Sequence, residues 1–146
     1  MKIKIKIKNS QRRITLNKRK LTFLAKQTLK IKGIKEAELS ILFVGRQRIR
    51  TLNKKFRKIN RVTDVLAFSM REGKGTRLHP EILGDVVICP EIAQKSARIY
   101  KTTKEGEIYL YLVHGILHLL GYDDSSVMRR RAMEKEQARI LKRLFP

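Results

Sequence analysis

The stretch Ile108-Tyr-Leu-Tyr-Leu-Val-His114-Gly-Ile-Leu-His118-Leu-Leu120, followed at once by Gly121-Tyr-Asp123-Asp124, decides how the rest of the chain is arranged. Apolar on nearly every side, it has the pattern of a helix buried in a core, not one laid on a surface. Thr102-Thr103-Lys104-Glu105 has the form of a capping box and marks the expected start. Gly121 supplies the left-handed backbone that ends a helix. His114 and His118, four residues apart, share one helix face with roughly 5–6 Å between Cβ atoms, the spacing for chelating one metal ion. Burying two neighbouring imidazoles without a shared task is costly. After Gly121 the chain can turn back toward them, bringing Asp124 as a possible third ligand. Catalytic zinc sites take three protein ligands of this kind and leave the fourth position to water. Asp123 and Asp124 also have a local alternative, serving the start of a following helix before Ser125.

Outward from this segment the periodicities yield an element list. Ile3, Ile5 and Ile7 alternate with Lys2, Lys4, Lys6 and Lys8, which predicts a strand with one apolar and one basic face. Lysines along it also discourage edge-to-edge pairing. Leu21, Leu24, Ala25, Thr28 and Leu29 recur at helical spacing, with a stop at Gly33. A strand is expected at about Leu39 to Val44, and Ile49, Leu52 and Phe56 mark a short helix ending near Arg57. Asp64 to Phe68 and Asp85 to Cys89 read as two more strands. Between them runs a stretch with Gly73, Gly75, His79 and Pro80, long enough for a functional loop. Pro90 suits the first turn of a helix running past Ile92 and Ile99. Ser125 can cap a last amphipathic helix with Met128, Ala132, Met133, Ile140, Leu141 and Leu144 facing inward. No repeat or linker interrupts the series, so a single α+β domain over residues 1–146 is expected.

The chain's 146 residues suffice for a core without disulfide support, and its single cysteine, Cys89, sits in an apolar run as a small buried hydrophobe. No signal peptide and no bilayer-spanning run are evident, so a cytoplasmic protein with no membrane association is expected. The 35 Lys+Arg against 13 Asp+Glu give a formal net charge of +22. Residues 1–60 hold 20 basic and 2 acidic side chains, and residues 61–146 hold 15 and 11, so the excess lies in the part without the histidine motif. Such a surface attracts polyanions and releases their counterions on binding, which favours RNA or DNA as partner. Heat adaptation is a poorer account, because it adds glutamate along with lysine. An anionic membrane is a weaker partner too, since neither end carries an aromatic-anchored amphipathic helix.

The motif resembles the signature of the YbeY family, bacterial zinc-dependent endoribonucleases that process ribosomal RNA, written H-G-x-L-H-L-x-G-Y-D-H. The segment His114 to Asp124 agrees at every fixed position except the last, where the family's third histidine is Asp124. Leu52-Asn53-Lys-Lys-Phe56-Arg57, Thr63-Asp64-Val65-Leu66-Ala67-Phe68 and Leu83-Gly84-Asp85-Val86-Val87-Ile88 resemble further family blocks in the same order. The resemblance implies a small mixed sheet of about four strands covered by about five helices. It also nominates Arg57 as the cation that stabilises phosphate charge, a role suited to arginine's planar fork. The expected metal ligands are His114, His118 and Asp124, the metal is zinc, and the catalytic residues are Arg57 and His114.

Three functions follow. The first is a zinc-dependent, single-strand-specific endoribonuclease in ribosomal RNA 3′-end maturation and ribosome quality control. Its partners would be ribosomal RNA and ribosomal particles, with no obligate protein partner. The second is a zinc protease, because His114, His118, Gly121 and Asp124 share the ligand spacing of H-E-x-x-H-x-x-G-x-x-H enzymes, although Gly115 stands where their glutamate base belongs. The third is a noncatalytic, ribosome-associated RNA binder whose metal is structural. A fourth protein ligand would favour it, and His79 is the only other histidine.

Overall fold

Alternating lysine and isoleucine at the N-terminus form β1 (Ile3–Asn9), whose isoleucines turn to a helical layer and whose lysines face outward. We describe residues 2–70 and 79–146 of a computed structural model. After β1 come α1 (Lys18–Ile31), β2 (Ala37–Phe43), α2 (Arg46–Arg57), β3 (Val65–Ser69), β4 (Ile82–Ile88), α3 (Pro90–Tyr100), α4 (Lys104–Leu119) and α5 (Val127–Leu144). The strands make one sheet in the order β1-β2-β4-β3. β1, β2 and β4 run parallel, and β3 is antiparallel to β4 at the edge. This is the expected mixed α+β architecture.

Side-chain alternation splits the sheet into two apolar faces. On one, Leu39, Ile41, Phe43, Val86 and Ile88 join Leu24 and Leu29 of α1 and Leu112 and Ile116 of α4 in the main core. On the other, Leu66, Val87 and Cys89 pack with Ile49 beneath α2 in a smaller cluster. Helix α4 touches α1, α3, α5, β3 and β4, which is why its sequence is apolar on every side. Leu112 and Ile116 are fully buried, and truncating either to alanine costs about 2–5 kcal/mol.

Gly115 fixes how closely α4 approaches the sheet. A Cβ there would lie 2.5 Å from Val86 Cγ1 and 3.3 Å from Val65 Cγ2, so only a glycine lets the helix rest on β3 and β4. The predicted cap of α4 moves by one residue. Thr103 accepts from the Gly106 amide at 3.0 Å, which puts a glycine where the capping-box glutamate would stand. At the other end Gly121 has φ +102, its amide donates to the His118 carbonyl at 3.1 Å, and the Tyr122 amide donates to Leu117 at 3.0 Å. This paired closure turns the chain back over the histidine face.

Other expectations shift in detail. β4 begins at Ile82 and ends at Ile88, which leaves Cys89 as the residue ahead of α3; within the strand Gly84, at φ +137, passes the Phe68 carbonyl where a Cβ would lie at 2.0 Å. Ser126, not Ser125, caps α5 by accepting from the Arg129 amide. Of the residues expected inside on α5, Met128 is 81% exposed and Ala132 is also outward. The inward stripe is Met133, Gln137 and Ile140, flanked by Leu141 and Leu144, so a glutamine occupies a core-facing position. Cys89 is buried as expected, and burial pushes its thiol pKa up.

Candidate active site

The last two turns of α4, the end of α2 and the start of β3 enclose a cavity of about 360 Å³. His114, Gly115 and His118 form one wall, Arg57, Asp64 and the first residues of β3 the other, and Asp124 closes it from the link after Gly121. All four residues expected from the sequence therefore share one cavity. No stretch of consecutive residues brings them together; the folding of α2 and α4 onto opposite sides of β3 does so.

The imidazoles converge with their rings edge to face, centroids 4.6 Å apart, and their Nε2 atoms 3.1 Å apart. His114 is held from behind: its Nδ1 meets Oε1 of Gln137 on α5. An amide oxygen can only accept, so Nδ1 carries the proton and Nε2 turns a lone pair into the cavity. His118 has its pKa lowered, chiefly by burial, then by His114 and Arg57, against an opposite pull from Asp124 and Asp123. A neutral imidazole is the form that binds a metal. Two imidazoles whose Nε2 atoms converge from a rigid helix, with a carboxylate lining the same cavity, are a donor set suited to zinc once the proton shared between them is released. Among the described residues no three His, Cys, Asp or Glu side chains are drawn close enough together to hold a metal ion between them. The histidine pair is the converged part, and Asp124 stands on the cavity wall.

Arg57 is the last residue of α2, where Lys58 adopts left-handed backbone (φ 62) and closes the helix by donating to the Asn53 carbonyl. Buried Asn53 also donates from Nδ2 to the Arg61 carbonyl at 3.0 Å, tying down the loop that leads to Asp64. Asp64, on the cavity wall, accepts from the Val65 amide at 2.7 Å and from Thr63 Oγ1 at 3.2 Å, which holds its carboxylate in place. Asp123 has a different task. It accepts from the Ser125 amide, Ser125 Oγ and Arg129, and these bonds hold its pKa down at about 2. His79 is exposed beside Glu81 at 3.4 Å and does not line the cavity. Residues 71–78 of the expected functional loop lie outside the described residues.

Two site residues escaped the sequence reading of roles. Gln137 is only 7% exposed and lies four residues after Met133 and three before Ile140, so its place on the apolar stripe was the available signal. Asp64 lay inside a recognised block, and an acidic residue directly ahead of a strand was its only mark.

A family model described as endoribonuclease YbeY matches residues 6–145. The chain belongs to the endoribonuclease YbeY family. Curated relatives named endoribonuclease YbeY agree over most of their length. One from Syntrophotalea carbinolica is 35% identical and the match covers 96% of this chain and 95% of the relative. One from Pelotomaculum thermopropionicum is 40% identical with coverage of 85% and 84%. A solution structure of a Thermotoga maritima protein is similar with a TM-score of 0.61 at 26% identity, covering 96% of this chain and 91% of that one. The YbeY match takes in the whole cavity lining, from Arg57 to Asp124, together with Gln137 behind His114. No helix among the described residues is long and apolar enough to cross a membrane.

Proposed function

We propose that this chain is a zinc-dependent, single-strand-specific endoribonuclease acting in ribosomal RNA 3′-end maturation and ribosome quality control in the cytoplasm. The observation that carries this reading is the facing pair of His114 and His118 Nε2 atoms in one cavity with Arg57, in a member of the endoribonuclease YbeY family. The net charge of +22 supports ribosomal RNA and ribosomal particles as partners.

His114, His118 and Asp124 would hold the zinc. When bound, it supplies an acidified water and a Lewis acid for the phosphoryl oxygen. The chain's own residues do the rest. Gln137 keeps the proton on His114 Nδ1 and so keeps Nε2 available. Arg57 faces the scissile phosphate and stabilises the charge that builds on its oxygens. Asp64, anchored through Oδ1 on the cavity wall, offers a carboxylate to a ribose hydroxyl or the attacking group.

The protease reading fails on space. A glutamate base at position 115 would have to grow from a Cβ already 2.5 Å from Val86. The structural-metal reading would need a fourth protein ligand, and His79, the one further histidine, is exposed beside Glu81 and does not line the cavity. The test incubates purified protein with single-stranded RNA, structured RNA and a peptide, each with zinc and with chelator. Zinc-dependent cleavage confined to single-stranded RNA is expected. Peptide cleavage, or RNA cleavage unaffected by chelator, would overturn the proposal.

A further inference from the structure

A second concavity, of about 460 Å³, lies on the face of the sheet that carries α2. Because α2 covers only the β4 and β3 side of this face, Leu42 of β2, Val87 of β4 and Leu52 and Phe56 of α2 leave an apolar trough open to solvent. Lys6 and Lys8 of β1 line one side and Arg48 of α2 the other. Lys6 is partly neutralised by Glu38 at 2.7 Å, and Asp85 is the carboxylate at the trough itself.

The aromatic content separates this trough from an ordinary basic surface. Phe56 is 56% exposed and its ring is braced edge-on by Phe68, centroids 5.2 Å apart at 65°, with Lys55 Nζ 5.3 Å from its centroid. A ring braced at the surface, with a lysine against it and further basic side chains along the trough, is an arrangement that suits unpaired bases, which stack on aromatic faces while lysine and arginine take the phosphates. Asp85 adds an acceptor for the amino group of a base. A duplex keeps its bases stacked inside and offers the ring nothing.

The trough also leads to the active cavity. Phe56 lines one and Arg57, the next residue, lines the other; Phe68 of the edge strand β3 faces the trough while Val65 and Ala67 line the cavity. A strand leaving the trough over the end of α2 and the β3 edge arrives at Arg57 and the histidines. We infer that this trough is the binding track for the single-stranded RNA that flanks the cleaved phosphate, with Phe56 as its base-stacking platform. The inference rests on the ribonuclease reading for the identity of the strand, and it accounts for the single-strand preference in that reading.

The test measures affinity for a short unpaired oligoribonucleotide, a duplex of the same length and a poly-glutamate peptide, all in chelator so that nothing is cut. Phe56→Leu keeps the apolar bulk and loses the π face; it should weaken binding to the unpaired strand roughly tenfold, and Phe56→Trp should restore it. Arg48→Gln should weaken it more than Lys142→Gln, an equal charge loss on α5. Unchanged affinity in Phe56→Leu, or equal loss for strand and duplex, would overturn the inference. Loss of peptide binding alone would assign the trough to an acidic protein partner and overturn it too. Cleavage by the parent protein is followed separately with zinc. Binding that depends on Phe56 without any cleavage refutes the nuclease reading and upholds the trough, whereas cleavage with binding indifferent to Phe56 refutes the trough alone.

Discussion

His114 Nδ1 on α4 and Gln137 Oε1 on α5 form a partly buried hydrogen bond, and this bond selects which nitrogen of the histidine faces the cavity. Acceptors behind a ligating histidine typically change metal affinity 10–100-fold when removed. Gln137→Leu should therefore weaken zinc binding by about that factor while the protein stays folded. Gln137→Glu, which retains an acceptor, should bind close to the parent. Zinc titration against a competing chelator measures both, and the ¹⁵N shifts of His114 report the tautomer directly.

Asp124 is expected to complete the ligand set. The double variant His114→Ala/His118→Ala should lose the zinc altogether, and Asp124→Ala should bind it more weakly. Asp124→His should keep the metal. A carboxylate brings negative charge where an imidazole is neutral, so the parent acidifies the activated water less and the histidine variant should shift its activity profile to lower pH. Zinc affinity in Asp124→Ala equal to the parent's would remove Asp124 from the ligand set.

For Arg57, the expectation separates chemistry from assembly. Arg57→Ala should reduce RNA cleavage about 10²–10³-fold, the usual cost of losing a donor that stabilises developing charge. Zinc content and thermal stability should change little, because the side chain caps no helix and fills no core position. Cleavage at the parental rate would exclude it from the mechanism.

Space, not charge, governs Gly115. With Val86 Cγ1 at 2.5 Å from the position of a Cβ, even Gly115→Ala should push α4 off the sheet and destabilise the protein by about 1–3 kcal/mol. Denaturant unfolding measures this. Val86→Ala in the same chain should return part of the loss, since it removes the colliding methyl groups.

His118 supplies the pH dependence of the metal-free protein. Burial and its charged neighbours put its folded-state pKa below the ordinary imidazole value of 6.5. Between those two pKa values the unfolded chain holds the proton more tightly, so stability falls as pH drops from 6.5 toward the folded-state pKa. Above 6.5 the group contributes no slope. Denaturation midpoints in chelator at pH 7.5 and 5.5 should differ more for the parent than for His118→Asn. Asp123, with its pKa at about 2, acts only in a window below 3.8 and does not confuse the comparison.

Much of this architecture was readable as periodicity. Leu21, Leu24, Ala25, Thr28 and Leu29, read at helical spacing, are the buried residues of α1, and the Lys/Ile alternation is β1. Those patterns are legible because burying an apolar side chain needs no particular partner. Polar residues are different, since their burial depends on what they meet. Gln137 belongs inside only because His114 reaches it from another helix, and nothing local to α5 says so. The same limit let Met128 and Ala132 pass for core residues when the helix turns them outward. The histidine spacing revealed a shared face, but the convergence of Arg57 and Asp64 on that face depends on the sheet order, which no local pattern encodes.

The closure of α4 at Gly121 divides the proposed ligand set into unequal halves. His114 and His118 are carried by a continuous helix clamped against the sheet at Gly115, so their separation is set by helical geometry. Position 124 belongs to a link without a regular hydrogen-bond ladder, five residues beyond the helix and two before the cap of α5. A shorter or longer side chain there can be met by small changes of backbone torsion in that link, with nothing in the core having to follow. The site is thus a fixed jaw with an adjustable one. An exchange between aspartate and histidine is one this geometry tolerates at position 124 and at neither of the other two.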